Sequence, residues 1–413
     1  MTELFQALTI TDAQKVLRRH LPAPENYDEI PLMESLGRVL AEDIYALDDV
    51  PGFARSTMDG FATRAKDTFG ASESMPAYLS VKGEVIMGAP PRGKLLTGQV
   101  WRIATGGMLP EGADAVVMVE YTEEMAADLV LINKAVAPGE NIIRPGEDVA
   151  AGSLVFQANH RVRPQDLGML AAVGVLRVKV RPRTRVGILS TGDELVAPSD
   201  VPAPGQVRDI NSYSLAGAVA ACGGTPRYYG IIRDEQEELE KALVNALADN
   251  DIVLMSGGSS VGTRDFAATA LKSIGQPGVL FHGLSMKPGK PALGAVVDGK
   301  PVFGLPGHPA SAMVVFDAII APLISRGGYL EQDQSITEEY PLQAEITRNM
   351  PSAAGREDFI RVRLFWRGEK LFAEPVLGKS GLISTMTAAD GLAYIPAGKE
   401  GVEAGETVRV KFF

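Results

Sequence analysis

Four acidic residues stand in or beside glycine- and serine-rich stretches of this chain. Asp193 and Glu194 close the run Ser190-Thr191-Gly192-Asp193-Glu194, Asp234 follows Ile231-Ile232-Arg233, and Asp265 follows Ser256-Gly257-Gly258-Ser259-Ser260-Val261-Gly262. A third loop of the same kind reads Pro306-Gly307-His308-Pro309-Ala310-Ser311. At the end of a strand, Gly, Ser and Thr offer backbone N–H groups and hydroxyls to phosphate oxygens, and a following helix dipole favours an anion there. Carboxylates beside such amides repel the ligand unless a cation intervenes. Mg²⁺, held by one or two carboxylates and phosphate oxygens, is the usual one. The plainer alternative stays open: glycine only permits tight turns, and acids cap helices. Asp234, just ahead of a helical pattern over Glu235–Ala248, suits an N-cap.

A second chemistry is carried by Lys287-Pro288-Gly289-Lys290-Pro291. Two ammonium groups flanking a Pro-Gly turn suit a small oxyanion with several oxygens. The alternative is a solvated loop, although Leu284 and Ala292-Leu293 beside it are apolar. Asp59, in Met58-Asp59-Gly60-Phe61, reads from its type alone as an Asx-turn residue. Gly88-Ala89-Pro90-Pro91-Arg92-Gly93-Lys94-Leu95 has P-loop spacing, but Leu95 replaces the Mg²⁺-binding hydroxyl and two prolines lack N–H donors. His20, His160, His282 and His308 are scattered, so no His-based zinc site is proposed. His308 lies in a candidate ligand loop, where it reads first as a turn residue. Cys222 stands alone, which excludes an intrachain disulfide and a Cys-rich metal site, and it reads as a small core residue.

These residues need elements to carry them. Arg185–Leu189, Ile252–Met255 and Pro301–Leu305 are short apolar runs leading into the three loops, with helical patterns at Ser212–Ala221 and Glu235–Ala248. Such alternation implies βαβ units, a parallel sheet, and ligands at the carboxyl ends of its strands. Residues 1–25 read as a short helix that Thr11-Asp12 caps and Pro22 and Pro24 end. From Pro51 to about Asp148 the texture is β-rich with many turns, and after about Gln332 short strands predict a small barrel or sandwich. A length of 413 residues exceeds one ordinary core. A net charge of −11 argues against nucleic-acid binding while leaving small anionic ligands open. No apolar stretch is long enough to span a bilayer, and Met1-Thr2-Glu3-Leu4-Phe5 has no basic start or apolar core, so no membrane role and a cytoplasmic location are expected.

Taken in order, several segments resemble the molybdopterin molybdenumtransferase family, which includes the gephyrin E domain and the plant enzyme of the same step. They are Asp49–Phe53 with Met58-Asp59-Gly60, Thr105-Gly106, Arg144–Asp148, Ser190–Leu195, Ile231–Asp234, Ser256–Asp265, Lys287–Pro291, Leu305–Ser311 and Gly355-Arg356 with Phe359. Two departures stand out: His308, where many relatives carry Asn, and the variant run Ala54–Thr57.

The resemblance implies a multidomain α/β plus β fold: a connecting domain (26–50 and 149–179), a β-rich module (51–148), a central parallel-sheet α/β domain with Gly/Ser ligand loops (1–25 and 180–331), and a C-terminal β-barrel (332–413). It implies a homodimer in which the α/β domain of one subunit faces the β-rich module of the other. It also implies a reaction: molybdopterin-AMP and molybdate enter, Mg²⁺ assists, the metal reaches the dithiolene, and AMP leaves. Asp234 and Asp265, with Glu194 beside them, would act around Mg²⁺ and the pyrophosphate bond. Lys287, Lys290, Pro291, Arg356 and Ser380 would form the molybdate pocket. Ser256, Gly257, Gly258, Ser259 and Ser260 would hold pterin phosphate or AMP, with Thr191, Asp193, Pro306 and Pro309 as further substrate contacts. Asp59 (as a catalytic group), Thr105 and Asp148 would enter from the facing module. Transient contact with the preceding adenylyltransferase and with apo-molybdoenzymes or carriers follows from the same resemblance. Two rivals remain, that adenylyltransferase itself, which consumes ATP, and a non-enzymatic gephyrin-like scaffold.

Overall fold

The structure is a computed structural model that describes residues 7–22, 25–257, 263–328 and 339–413, with 263–266 described by backbone alone. The chain folds as two compact units, one formed by Asp28–Val180 and the other by Met1–Tyr27 with Arg181–Phe413.

The larger unit is built on a six-stranded sheet. Its strands are β1 (Arg185–Thr191), β2 (Thr225–Ile232), β3 (Ile252–Gly257), β4 (Pro277–His282), β6 (Leu293–Val297) and β7 (Lys300–Leu305); a short strand β5 (Met286–Lys287) lies between β4 and β6 in the chain. The spatial order is β2-β1-β3-β7-β6-β4. Nearly every residue of β1 and β3 is buried, as expected of central strands covered on both faces. Val186, Ile188, Ile252 and Leu254 pack on one side with Leu215 and Val219 of helix α2 (Asn211–Ala221). Leu189, Val253 and Met255 pack on the other with Leu239 and Leu243 of helix α3 (Gln236–Asp249). Cys222 is half-buried at the end of α2 and packs against the first of these cores.

Two expectations are corrected. The pairings are parallel only through β2, β1, β3 and β7; β6 is reversed, so that its pairings with β7 and with β4 are both antiparallel. Asp298 (φ 49°) and Gly299 (φ 83°) close a two-residue hairpin between β6 and β7, too short for the crossover a parallel pair needs. The first helix, α1 (Ile10–His20), is capped by Thr9, two residues before Thr11, and the Thr9 hydroxyl oxygen accepts from Asp12 N–H at 3.1 Å. Its Ile10, Ala13 and Leu17 are buried against the sheet core. The helix following the third loop, Pro309–Val315, passes through a π-helical stretch (Phe316–Ile320) into Ala321–Ser325.

The C-terminal strands are β8 (Leu342–Ile346), β9 (Glu357–Arg367), β10 (Lys370–Pro375), β11 (Gly391–Ile395) and β12 (Thr407–Phe412). They close into a five-stranded barrel, because β9 pairs with both β10 and β11. Strand β5 is annexed by this barrel: Met286 and Lys287 pair with Glu357 and Asp358. The lysine loop therefore joins the sheet to the barrel.

The smaller unit holds a second six-stranded sheet, running Ala115–Met118, Gly60–Thr63, Gln99–Ile103, Ala77–Glu84, Leu129–Ile132, Thr122–Ala126. The two-stranded pairs Asp28–Pro31 with Arg177–Val180 and Ile44–Tyr45 with Leu154–Phe156 tie its flanking segments. No helix among the described residues is long and apolar enough to cross a membrane.

Candidate functional site

A cavity of about 1400 Å³ opens where the carboxyl ends of β1, β3 and β7 meet the lysine loop and the barrel. Thr191 lines it at the end of β1 and Glu194 just after it, Asp234 after β2, Ser256 and Gly257 at the end of β3, and Pro306 and Pro309 after β7. Lys287, Lys290 and Pro291 enter from the connecting loop, and Arg356 and Ser380 from the barrel. The strands run further than their apolar runs suggest: Ser190 and Thr191 belong to β1, Ser256 and Gly257 to β3. Gly257 has φ 107°, and a Cβ there would lie 2.0 Å from the Thr191 carbonyl oxygen, so only glycine lets these two strand ends meet. At Gly192 (φ 144°) the space of a side chain is filled by the Glu194 carboxylate.

Among the described residues, Asp193, Glu194 and Asp234 form no ion pair. Asp193 lies just outside the lining, and its Oδ1 receives the Asp234 backbone N–H at 3.4 Å. Burial, followed by the negative charges of Asp193 and Glu194, raises the pKa of the Asp234 carboxyl above the ordinary value. Asp234 is not the helix cap that its position suggested. Helix α3 begins at Gln236 behind Glu235, with no side-chain cap bond. Asp265 falls on α4 (Thr263–Ile274), but its side chain, like Gly258, Ser259 and Ser260 as a whole, lies outside the described residues. Among the described residues no three His, Cys, Asp or Glu groups could hold a metal together.

The opposite wall is cationic. Lys287 and Lys290 are exposed to the cavity, while their flanks Leu284, Ala292 and Leu293 are buried. Arg356 is held by Asp358, donating Nε at 2.8 Å and Nη2 at 3.2 Å to its two carboxylate oxygens. Ser380 is anchored twice: its Oγ lies 2.9 Å from His308 Nδ1, and its carbonyl accepts from Ala310 N–H at 3.1 Å. His308 thus does more than turn the chain, since it fastens the third ligand loop to the barrel.

The remaining sequence-derived residues sit in the smaller unit. Asp59 and Thr105 are brought together, with the Thr105 backbone N–H and hydroxyl donating to Asp59 Oδ1 at 2.7 and 2.8 Å. These bonds hold the Asp59 carboxyl below its ordinary pKa. Asp148 is exposed, and its backbone N–H donates to the Val50 carbonyl at 3.1 Å.

Profiles of known families match the chain in three consecutive stretches. They are the MoeA N-terminal region (domain I and II) over residues 8–174, the probable molybdopterin binding domain over 187–326, and the MoeA C-terminal region (domain IV) over 343–413. The molybdopterin molybdenumtransferase of Bacillus subtilis (strain 168) is 36% identical over 413 residues, covering 98% of this chain and 95% of that protein. The chain belongs to the MoeA family. The Haemophilus influenzae molybdopterin molybdenumtransferase is 33% identical, with 98% of each chain covered. The crystal structure of the molybdopterin biosynthesis MoeA protein from Pyrococcus horikoshii OT3 superposes with a TM-score of 0.84 at 32% identity, covering 99% of this chain and 100% of that one.

In this MoeA family member the cavity is lined from two profile stretches, the probable molybdopterin binding domain and the C-terminal region. Sequence reasoning missed part of it. Asp209 and Asn211 line the floor, both buried. Asp209 accepts from Ser190 Oγ at 2.7 Å and from Tyr228 O–H at 2.9 Å, tying β1 to β2. The run Asp209-Ile210-Asn211-Ser212 ahead of a helix was the available signal, but it reads as a helix start. Arg361 was missed as well. Its guanidinium lines the cavity, donates to Thr385 Oγ1 and the Gly378 carbonyl, and has its pKa lowered by burial.

Proposed function

We propose that the chain is a molybdopterin molybdenumtransferase, which takes molybdopterin-AMP and molybdate and releases AMP as the metal reaches the dithiolene. One observation carries this reading: a single cavity has an acidic corner at Glu194 and Asp234 and a cationic wall at Lys287, Lys290 and Arg356. An oxyanion needs the second, and a phosphate ligand with its divalent counter-ion needs the first.

The donor set fits Mg²⁺. Asp234 is half-buried beside two like charges, and this ion takes one or two carboxylates together with phosphate oxygens. Glu194, Asp234 and Asp265 would hold it, and when bound it neutralises pyrophosphate oxygens. The chain's own residues do the rest. Ser256, Gly257 and the following Gly258, Ser259 and Ser260 bind phosphate oxygens, with Thr191, Asp193, Pro306 and Pro309 around the substrate. Lys287, Lys290, Arg356 and Ser380, with Pro291, hold the tetrahedral dianion by N–H and O–H donors. A carboxylate orients water or a molybdate oxygen, and positioning supplies much of the rate.

The same reading makes the protein a cytoplasmic homodimer of four domains, divided as the sequence suggests. Asp59, Thr105 and Asp148 of one subunit complete the partner's cavity. Transient contacts with the preceding adenylyltransferase and with recipient apoenzymes or carriers belong to it too.

The test is AMP release from molybdopterin-AMP with Mg²⁺ and molybdate. Release that requires molybdate supports the reading. Consumption of ATP instead would assign the preceding adenylylation step.

A further inference from the structure

The cavity floor contains a buried amide for which the proposed reaction names no role. Asn211, the first residue of α2, is 8% exposed, and Ser256 is 2% exposed. Asn211 Nδ2 donates to Ser256 Oγ at 2.7 Å and to the Gly307 carbonyl oxygen at 2.8 Å. Chemistry fixes the direction of both bonds. A carbonyl oxygen only accepts, so the amide nitrogen and not the amide oxygen must face Gly307, and that same nitrogen supplies a proton to Ser256. Asn211 Oδ1 points elsewhere and has no partner among the described residues. Nor is the segment free to swing. Two residues earlier, Asp209 is bonded to Ser190, to Tyr228 and, at 3.2 Å, to the Ser212 backbone N–H.

The consequence falls on Ser256. A hydroxyl both donates and accepts, and which it does toward a ligand depends on its other partner. Here its oxygen is occupied as an acceptor by Asn211. Its proton remains, and among the described residues no acceptor takes it.

We propose that Asn211 is a positioning residue: by donating to Ser256 it makes that hydroxyl a donor toward the cavity, directed at a phosphate oxygen of the adenylylated ligand. The inference rests on the reading of Ser256 as a phosphate contact and adds the residue that sets its polarity. Asn211 also ties the ends of β3 and β7, so one amide aligns two ligand loops.

The test is a double-mutant cycle on the full chain, with AMP and Mg²⁺ as the probe and calorimetry as the readout. Asn211→Leu removes the donor without adding charge. Asn211→Asp keeps the size but only accepts, so Ser256 must donate to it and turn a lone pair toward the phosphate. With Ser256 present, Asn211→Leu is expected to weaken AMP binding about tenfold, the range of a lost hydrogen bond to a charged group, and Asn211→Asp further. In a Ser256→Ala background the Leu substitution is expected to have almost no further effect, because coupled residues are non-additive. Equal losses in both backgrounds would overturn the proposal, since a purely structural amide weakens binding whether or not the hydroxyl is there. Should Asn211→Asp fail to fold, the cycle with Leu decides alone. A wild-type chain that binds no AMP sinks the proposed function itself, and this inference with it; an additive cycle on a chain that does bind AMP sinks the inference alone.

Discussion

Two carboxylates, one in each compact unit, have opposite fates. Asp166, on the helix Pro164–Ala172 of the smaller unit, is 2% exposed. It accepts from Arg163 Nε at 3.0 Å, Arg163 Nη2 at 2.9 Å and the Arg163 backbone N–H at 2.8 Å, and lies 2.6 Å from His160 Nε2. These partners, Arg163 foremost, hold its carboxyl well below the usual range. Asp234, in the larger unit, is pushed the other way, by burial first and then by the negative charges of Asp193 and Glu194. A charge kept for stability is surrounded by its counter-charges within the chain. The charge that the proposed reading assigns to a ligand lacks them, as perturbed groups at functional sites often do.

Substitution of Asp234 should give the largest effect. Asp234→Asn is expected to cut AMP release on the order of 100-fold, as for a lost electrostatic contact to a reacting group, while the urea midpoint stays level or rises. A midpoint that fell with activity would erase the contrast with Asp166. Asp166→Ala comes next, with a loss of about 2 kcal/mol in urea unfolding, for a helix cap and its charge-assisted bonds. An unchanged midpoint would mean that this ion network is ornamental.

The two sites should also part company with pH. Asp166 has a depressed pKa, so its stabilisation is complete above about 4, the unfolded carboxyl value, and drains away as pH falls through the folded one. Asp234 has a raised pKa, so its charge works against folding as pH rises past the unfolded value. In urea midpoints at pH 7 and pH 3, the deficit of Asp166→Ala should shrink in acid, and any surplus of Asp234→Asn should shrink too, from the other side. Movement of both in the same direction would contradict the assigned causes. The smallest effect is expected at the Lys94–Glu111 pair, 2.7 Å apart with both side chains more than half exposed. Lys94→Ala should leave the midpoint within measurement error, because such pairs are screened by water and salt.

Much of this was legible beforehand. Apolar runs ending in Gly and Ser marked β1, β3 and β7 as carriers of a ligand edge, because buried strands and tight turns leave local composition signals. Lys287, Lys290, Glu194 and Asp234 could be chosen by charge type and neighbourhood, and they do share a cavity. Less legible were contacts between residues far apart in sequence. Nothing near His308 points to Ser380, 72 positions away, and nothing near Asn211 points to Ser256 or Gly307.

The sequence by itself determined where strands, loops and charges lie along the chain, because those depend on side-chain type and short-range spacing. Only the tertiary structure decided that β6 runs antiparallel to both of its neighbours, that β5 joins the barrel, and that Asp234 faces a cavity instead of capping α3. Each of those outcomes depends on which surfaces are buried against one another, and burial is a property of the packed chain that no local run of residues carries.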